Sequence, residues 1–106
     1  EKVLQKCLKD ACGVPVNIIK KAYDTIKLHE ILVDGCSELV ISDIGVGVQC
    51  LRAAIVGAKL NVIINLSSIN DKEYVYRVKS EIEPLVREGI EIADRVYGKV
   101  VEILSV

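Results

Sequence analysis

Phenylalanine, tryptophan and methionine are all absent from these 106 residues, and four tyrosines are the whole aromatic complement. So few rings leave no platform on which the bases of a single-stranded nucleic acid would stack. Charge of one sign is lacking too: 14 Lys and Arg stand against 15 Asp and Glu, a formal net charge of −1. A polyanion partner is therefore not expected, and nucleic acid drops out as a ligand. Histidine occurs once, at His29. The four cysteines, Cys7, Cys12, Cys36 and Cys50, are spaced neither as a zinc knuckle nor as a dense disulfide framework. They read as buried small hydrophobes in a reducing, cytoplasmic compartment, with no metal site. No charged-then-apolar leader opens the chain. With no Met at position 1, Glu1 is not an encoded start, so the chain reads as a fragment or as one whose beginning was removed.

What is present is aliphatic. Hydrophobic residues make up 51% and mean hydropathy is +0.36, which excludes disorder and predicts one domain with a Val/Ile/Leu/Ala core. The periodicity is helical throughout, so the expected class is all-α, an antiparallel bundle of about four helices. Val3, Leu4, Cys7, Leu8, Ala11 and Cys12 form the stripe of a first helix, ended by Gly13. Pro15 suits the first turn of a second, which carries Ile18, Ile19, Ala22, Ile26 and Leu32 and stops near Asp34 and Gly35. Ser42 to about Leu66 makes a third, with Ser42 as its N-cap and Asp43 in the positive first turn. Its length raises a membrane span, but Arg52 and Lys59 near its middle argue against one. Asn70 with Glu73 resembles a capping box for a long final helix through Val100 and Ile103, with a kink at Pro84. Strand remains an alternative for Glu38–Ile41 and Leu60–Ile64, where β-branched residues cluster.

One face of the third helix carries chemical content. At 100° per residue, Gly47, Cys50, Ala54, Gly57, Ala58, Asn61 and Asn65 fall within about 60° of Asp43, with Arg52 and Lys59 opposite. A face of small residues with an acid at one end and two amides toward the other has two readings. It is a close-packing surface whose polar groups satisfy backbone, or it lines a cleft for a flat polar molecule. Asp43 and Asn61 are about 27 Å apart along the axis, so only an elongated ligand, or two sites in an assembly, would use both. His29, among Lys27, Leu28 and Glu30, reads as a boundary histidine rather than a general base. The paired lysines Lys20 and Lys21, and Lys6 with Lys9, read as solvated faces. Enclosing the third helix takes other helices or a second subunit, so self-association is expected.

Ser42-Asp43, Gly57-Ala58, Asn61-Val62-Ile63-Ile64-Asn65-Leu66, Ile69 and Asp71 together write SD(x13)GAxxNVxINLxxIxD, a pattern that resembles the cyclodeaminase family. That family comprises the folate domain of formiminotransferase-cyclodeaminase, the bacterial formimidoyltetrahydrofolate cyclodeaminases and related methenyltetrahydrofolate cyclohydrolases. Ala11-Cys12-Gly13-Val14-Pro15 resembles the family's small-residue-then-Val-Pro step. The likeness covers nearly the whole chain but only the C-terminal half of a family member. The family's Pro-Gly-Gly-Gly opening and its upstream catalytic Asp have no counterpart here. Before Ser42, the family's Gly-Asn is replaced by Gly35-Cys36 with one extra residue. The resemblance implies an all-helical homodimer that binds a tetrahydrofolate derivative as substrate and needs no separate cofactor. The reaction it implies is closure of 5-formimidoyltetrahydrofolate to 5,10-methenyltetrahydrofolate with loss of ammonia, or hydrolysis of the methenyl form. It places Ser42, Asp43, Asn61 and Asn65 in the substrate pocket and leaves the catalytic residue unassigned. The alternative is a non-catalytic helical dimerisation or interaction module.

Overall fold

The computed structural model describes residues 1–105 as three long helices joined by two short turns. They are α1 (Lys2–Leu32), α2 (Ile41–Ser67) and α3 (Lys72–Leu104). Among the described residues no strand forms, and Leu60–Ile64 is helical like its flanks. The class is all-α, but the helix count is three rather than four. The expected break at Gly13 does not occur, because Gly13, Val14 and Pro15 continue α1 without interruption. Pro15 withholds one N–H from the helical ladder, yet it is buried with Cys12, Val16 and Ile19, so tertiary packing overrides its local preference.

Two expected helix starts are corrected in the same way. The N-cap of α2 is Val40, with no side-chain cap, and Ser42 already lies inside the helix. Before it, the Ser37 hydroxyl accepts from the Leu39 N–H, giving the turn its own side-chain anchor. The N-cap of α3 is Asp71 rather than Asn70, its carboxylate accepting the Tyr74 N–H at 3.0 Å. Lys9 and that N–H hold the Asp71 carboxyl below its ordinary range. Asn70 is instead pinned by Gln5, whose Oε1 accepts the Asn70 N–H while its Nε2 donates to the Ser68 carbonyl. One glutamine near the start of α1 thus fixes the α2–α3 turn. Pro84 lies inside α3, which continues past it as one helix.

Side-chain pairings give the helix directions. Lys9 meets Asp71, Lys20 meets Glu81, Glu30 meets Arg95 and Asp34 meets Lys99, so α1 and α3 run the same way. Arg52 meets Asp94 at 2.8 Å, and Gly45 lies against Val100, so α2 runs counter to α3. The result is an up-down-up rod of 59 × 19 × 18 Å. Its aliphatic core forms two adjoining clusters along α2, whose Ile41, Ile44, Val48, Ile55, Ala58 and Val62 recur at steps of three, four and seven. They pack on Cys12, Ile19, Ala22 and Ile26 of α1 and on Val78, Ile82, Val86, Ala93, Val96 and Val100 of α3.

Close approach depends on three glycines. A Cβ at Gly45 would sit 2.9 Å from a Val100 methyl, one at Gly89 2.9 Å from Ile55 Cδ1, and one at Gly47 2.7 Å from His29 Nε2. Gly57, by contrast, faces open space. The small-residue face is therefore split, with Gly47 and Ala58 packed into the bundle and Asp43, Cys50, Ala54, Gly57 and Asn61 exposed. The cysteines need the same revision. Cys12 is fully buried, and burial pushes its thiol up against a smaller opposing hydrogen bond from Tyr74. Cys7 and Cys50 are exposed, Cys36 is half-buried, and all four are free.

By length and composition α2 is the one helix among the described residues long and apolar enough to cross a membrane. Its Arg52 is instead engaged with Asp94 on the neighbouring helix, and α1 and α3 beside it are rich in charge.

Candidate functional site

The site expected from the sequence lies on α2, and the helix separates its members. Ser42 and Asp43 are neighbours in sequence, hence about 100° apart around the axis. Ser42 borders a groove toward α3, formed with Gly45, Val46, Gln49 and Tyr97. Asp43 falls on the other edge, the one shared with Gly47, which faces α1. Asn61 follows on that same edge, exposed and about five turns from Asp43, and Asn65 beyond it is half-buried, its carbonyl accepting the Ser68 N–H. Asp43, Asn61 and Asn65 thus share a side of one helix without converging on a common cavity.

Between these two edges runs an uncovered apolar seam. Val46, Cys50, Ala53, Gly57, Leu60 and Ile64 recur at steps of four and three, directly opposite the core stripe, and all are exposed. Val46, Leu60 and Ile64 keep 64%, 60% and 65% of their surface in solvent. The apolar surface continues onto α1, where Leu4, Cys7, Ala11, Val14 and Ile18 are exposed at the same spacing. Ile18 and Ala54 border one groove between the two helices, with Lys21 and Thr25 on its α1 side. The outer face of α3 is different, presenting Lys79, Glu83, Arg87 and Glu91. One side of the rod is finished and the other is not.

His29, read from the sequence as a boundary histidine, is half-buried where α1 meets α2. Its Nδ1–H donates to the Thr25 carbonyl at 2.8 Å, since a carbonyl only accepts. Nδ1 therefore carries a proton, and Nε2 lies against Gly47. Only the fold shows that the glycine makes room for a ring on α1.

A concavity lies elsewhere, at the start of α3, where Lys9, Asp71, Tyr74 and Arg77 meet. Lys9 and Arg77 each stand 5.2 Å from the Tyr74 ring centre, and Asp71 neutralises Lys9. That arrangement anchors α1 to α3 and holds none of the four expected pocket residues. Among the described residues no three His, Cys, Asp or Glu side chains gather as a metal site would require.

Comparison with known proteins puts this architecture in context. Residues 1–84 match the profile of a family described as formiminotransferase-cyclodeaminase. The chain is 32% identical over 97 residues to the methenyltetrahydrofolate cyclohydrolase of Methylorubrum extorquens, covering 92% of this chain and 47% of that protein. It is 31% identical over 102 residues to the formimidoyltransferase-cyclodeaminase of Gallus gallus, covering 96% of this chain and 18% of that protein. The chain thus spans about half the length of the first relative and under a fifth of the second. With four-fifths of its length inside the family profile, the chain belongs to the formiminotransferase-cyclodeaminase family.

Proposed function

We propose that this chain is part of a folate enzyme that acts on a one-carbon tetrahydrofolate derivative in the cytoplasm, working as a homodimer. The reaction is closure of 5-formimidoyltetrahydrofolate to 5,10-methenyltetrahydrofolate with release of ammonia, or hydrolysis of the methenyl form. Both need an amine or water brought to one carbon together with a proton acceptor, tasks that side chains perform by orientation and acid–base chemistry. The substrate is itself the folate, and no further cofactor is proposed. The observation that carries this reading is the family membership, joined to the Ser42-Asp43 and Asn61-to-Asn65 motifs on α2, with Ser42, Asp43 and Asn61 exposed and Asn65 half-buried.

Asp43 is the substrate-facing acid in this proposal, with Asn61 and Asn65 contacting the far end of the ligand or a second copy of it. Ser42 contributes from the opposite edge of α2. Calorimetry with 5-formyltetrahydrofolate, a stable analogue, tests the proposal directly. Binding by the parent chain is expected, with Asp43→Asn weakening it by roughly tenfold or more, as for loss of a charge-assisted hydrogen bond. Loss of methenyltetrahydrofolate absorbance in the same preparations reports turnover. Absence of both binding and turnover would remove the proposal.

A non-catalytic interaction module is the second reading, favoured by the absence of a cavity that joins Asp43, Asn61 and Asn65 among the described residues. Strong self-association without folate binding would select it.

A further inference from the structure

We propose that two copies of this chain pair through the outer seams of their α2 helices, antiparallel and centred on Ala53, so that Asp43 of one copy and Asn61 and Asn65 of the other build one shared folate site. The shared site rests on the proposed folate function. The pairing rests on the seam itself.

The seam matches itself when turned end for end. Val46 and Leu60 stand seven residues to either side of Ala53, and both are large, apolar and exposed. Between them lie Cys50, Ala53 and Gly57, small and exposed, with open space where a Cβ at Gly57 would project. A second copy rotated by half a turn sets Val46 beside the partner's Leu60 and small residues against small ones at the centre, where two crossing helices come closest. That is the self-complementarity an isologous two-fold contact requires. Charge agrees with it. Between residues 44 and 66 the charged side chains are Arg52 and Lys59, and both lie off the seam, toward α3.

Antiparallel symmetry also decides which edges meet. A two-fold axis perpendicular to both helices carries the α1-facing edge of one α2 onto the same side of the pair as that edge of the other. Asp43, Asn61 and Asn65 all lie toward that edge. Within one chain Asp43 stands about 27 Å from Asn61 along the axis, too far for one flat heterocycle to touch both. Across the pair the distance collapses. Asp43 is ten residues before the centre, and the partner's Asn61 and the partner's Asn65 are eight and twelve beyond it. Asp43 therefore falls between them, within about 3 Å of each along the axis. A carboxylate and two amides converge, twice per dimer, on a patch that one chain cannot form. Together they offer acceptors and donors to a ring that carries both amino and carbonyl groups. A parallel pair would leave these edges on opposite sides and bring Asp43 to neither amide.

Cross-linking reads the register. In the pair, Cys50 and the partner's Gly57 lie within about 2 Å of each other along the axis, whereas the two Cys50 residues are about 9 Å apart along it, beyond the disulfide limit of about 7 Å. In a Cys7→Ser background, Gly57→Cys is expected to form a covalent dimer with oxidised glutathione, and the background alone is expected to run as a monomer on a non-reducing gel. A covalent dimer through Cys50 alone, or none with Gly57→Cys, would overturn the antiparallel register. Mixed dimers read the site. Asp43→Asn removes one half of it, and Asn61→Ala with Asn65→Ala removes the other. Each variant alone is expected to bind 5-formyltetrahydrofolate roughly tenfold more weakly than the parent. Differently tagged copies of the two, purified as one complex, are expected to regain parental affinity at about half the parental stoichiometry, because one of their two sites is intact. Mixed dimers that bind no better than either variant would overturn the shared site while leaving the folate reading intact. Failure of the parent chain to bind the analogue would overturn the folate reading and the shared site together, with the cross-link still deciding the pairing.

Discussion

At the scale of single residues, glycines in α2 and α3 do opposite things despite identical chemistry. Gly45 and Gly89 let helices approach until a methyl on the partner occupies the place of the missing Cβ. Gly45→Ala and Gly89→Ala are each expected to lose stability, since overpacking costs about 1 to 3 kcal/mol against a helix-propensity gain of at most about 1 kcal/mol. Gly57→Ala meets open space, so only the propensity gain remains, and a rise of about 0.5 to 1 kcal/mol is expected in the isolated protomer. Denaturant titrations of the three variants at low protein concentration check the ordering. Equal effects at all three positions would mean that α2 is rotated from its described phase. Asp71 yields a pH prediction. Its folded-state pKa lies below the ordinary 3.8, so its stabilisation is fully present above that value and is lost as pH falls through the lower folded one. Asp71→Ala is therefore expected to lower the melting temperature at neutral pH and to make the acid limb shallower below about pH 4. Melting curves between neutral and strongly acidic pH read both effects.

At the scale of helices, the sequence was most legible where periodicity was strong and least where single residues were taken as boundaries. The apolar stripes of α1 and α3 and the all-round apolarity of α2 could be read directly, and all three became helices. Gly13 and Pro15 misled because their local cost is small against the burial of Cys12, Pro15, Val16 and Ile19, a tertiary term that no local reading contains. Ser42 misled because the turn before α2 is stabilised through Ser37. Of the candidate site, the face of α2 was legible, but not which edge each residue would occupy relative to α1 and α3. The contact of His29 with α2 was not legible either, because Gly47 is 18 positions away in sequence yet against its ring in space. An element-scale test follows from Gln5. Gln5→Ala removes both bonds to the α2–α3 turn, and hydrogen exchange is expected to quicken at Asn70 first, with the core of α1 unaffected.

At the scale of the whole molecule, the rod has one polar side and one broad apolar side formed by α1 and α2. Monomers rarely leave such a surface uncovered, and a second copy is the occupant proposed with the folate function. Sedimentation velocity over a wide concentration range is expected to show self-association. Leu60→Lys with Ile64→Lys, both outside the core, is expected to shift the chain to monomer while keeping its helical signal. A double variant that associates like the parent would place the contact on another face. The seam's small centre, Cys50, Ala53 and Gly57, suits close helix approach, so Gly57→Leu is expected to weaken association more than it weakens the protomer.

The ladder between α1 and α3 carries a further consequence. Along α1 the paired charges change from Lys9 and Lys20 to Glu30 and Asp34, and along α3 they change from Asp71 and Glu81 to Arg95 and Lys99. Inverting either helix would set Lys9 near Lys99 and Asp34 near Asp71, so the ladder works as a polarity code that admits one direction and rejects the other. Because those helices run in parallel, the two chain ends emerge from opposite poles of a body 59 Å long. A dye at each end therefore makes the protein its own ruler. Energy transfer between them should be weak in the native rod and should change in step with loss of helical signal on unfolding, whereas an inverted α3 would bring the dyes together and brighten the transfer.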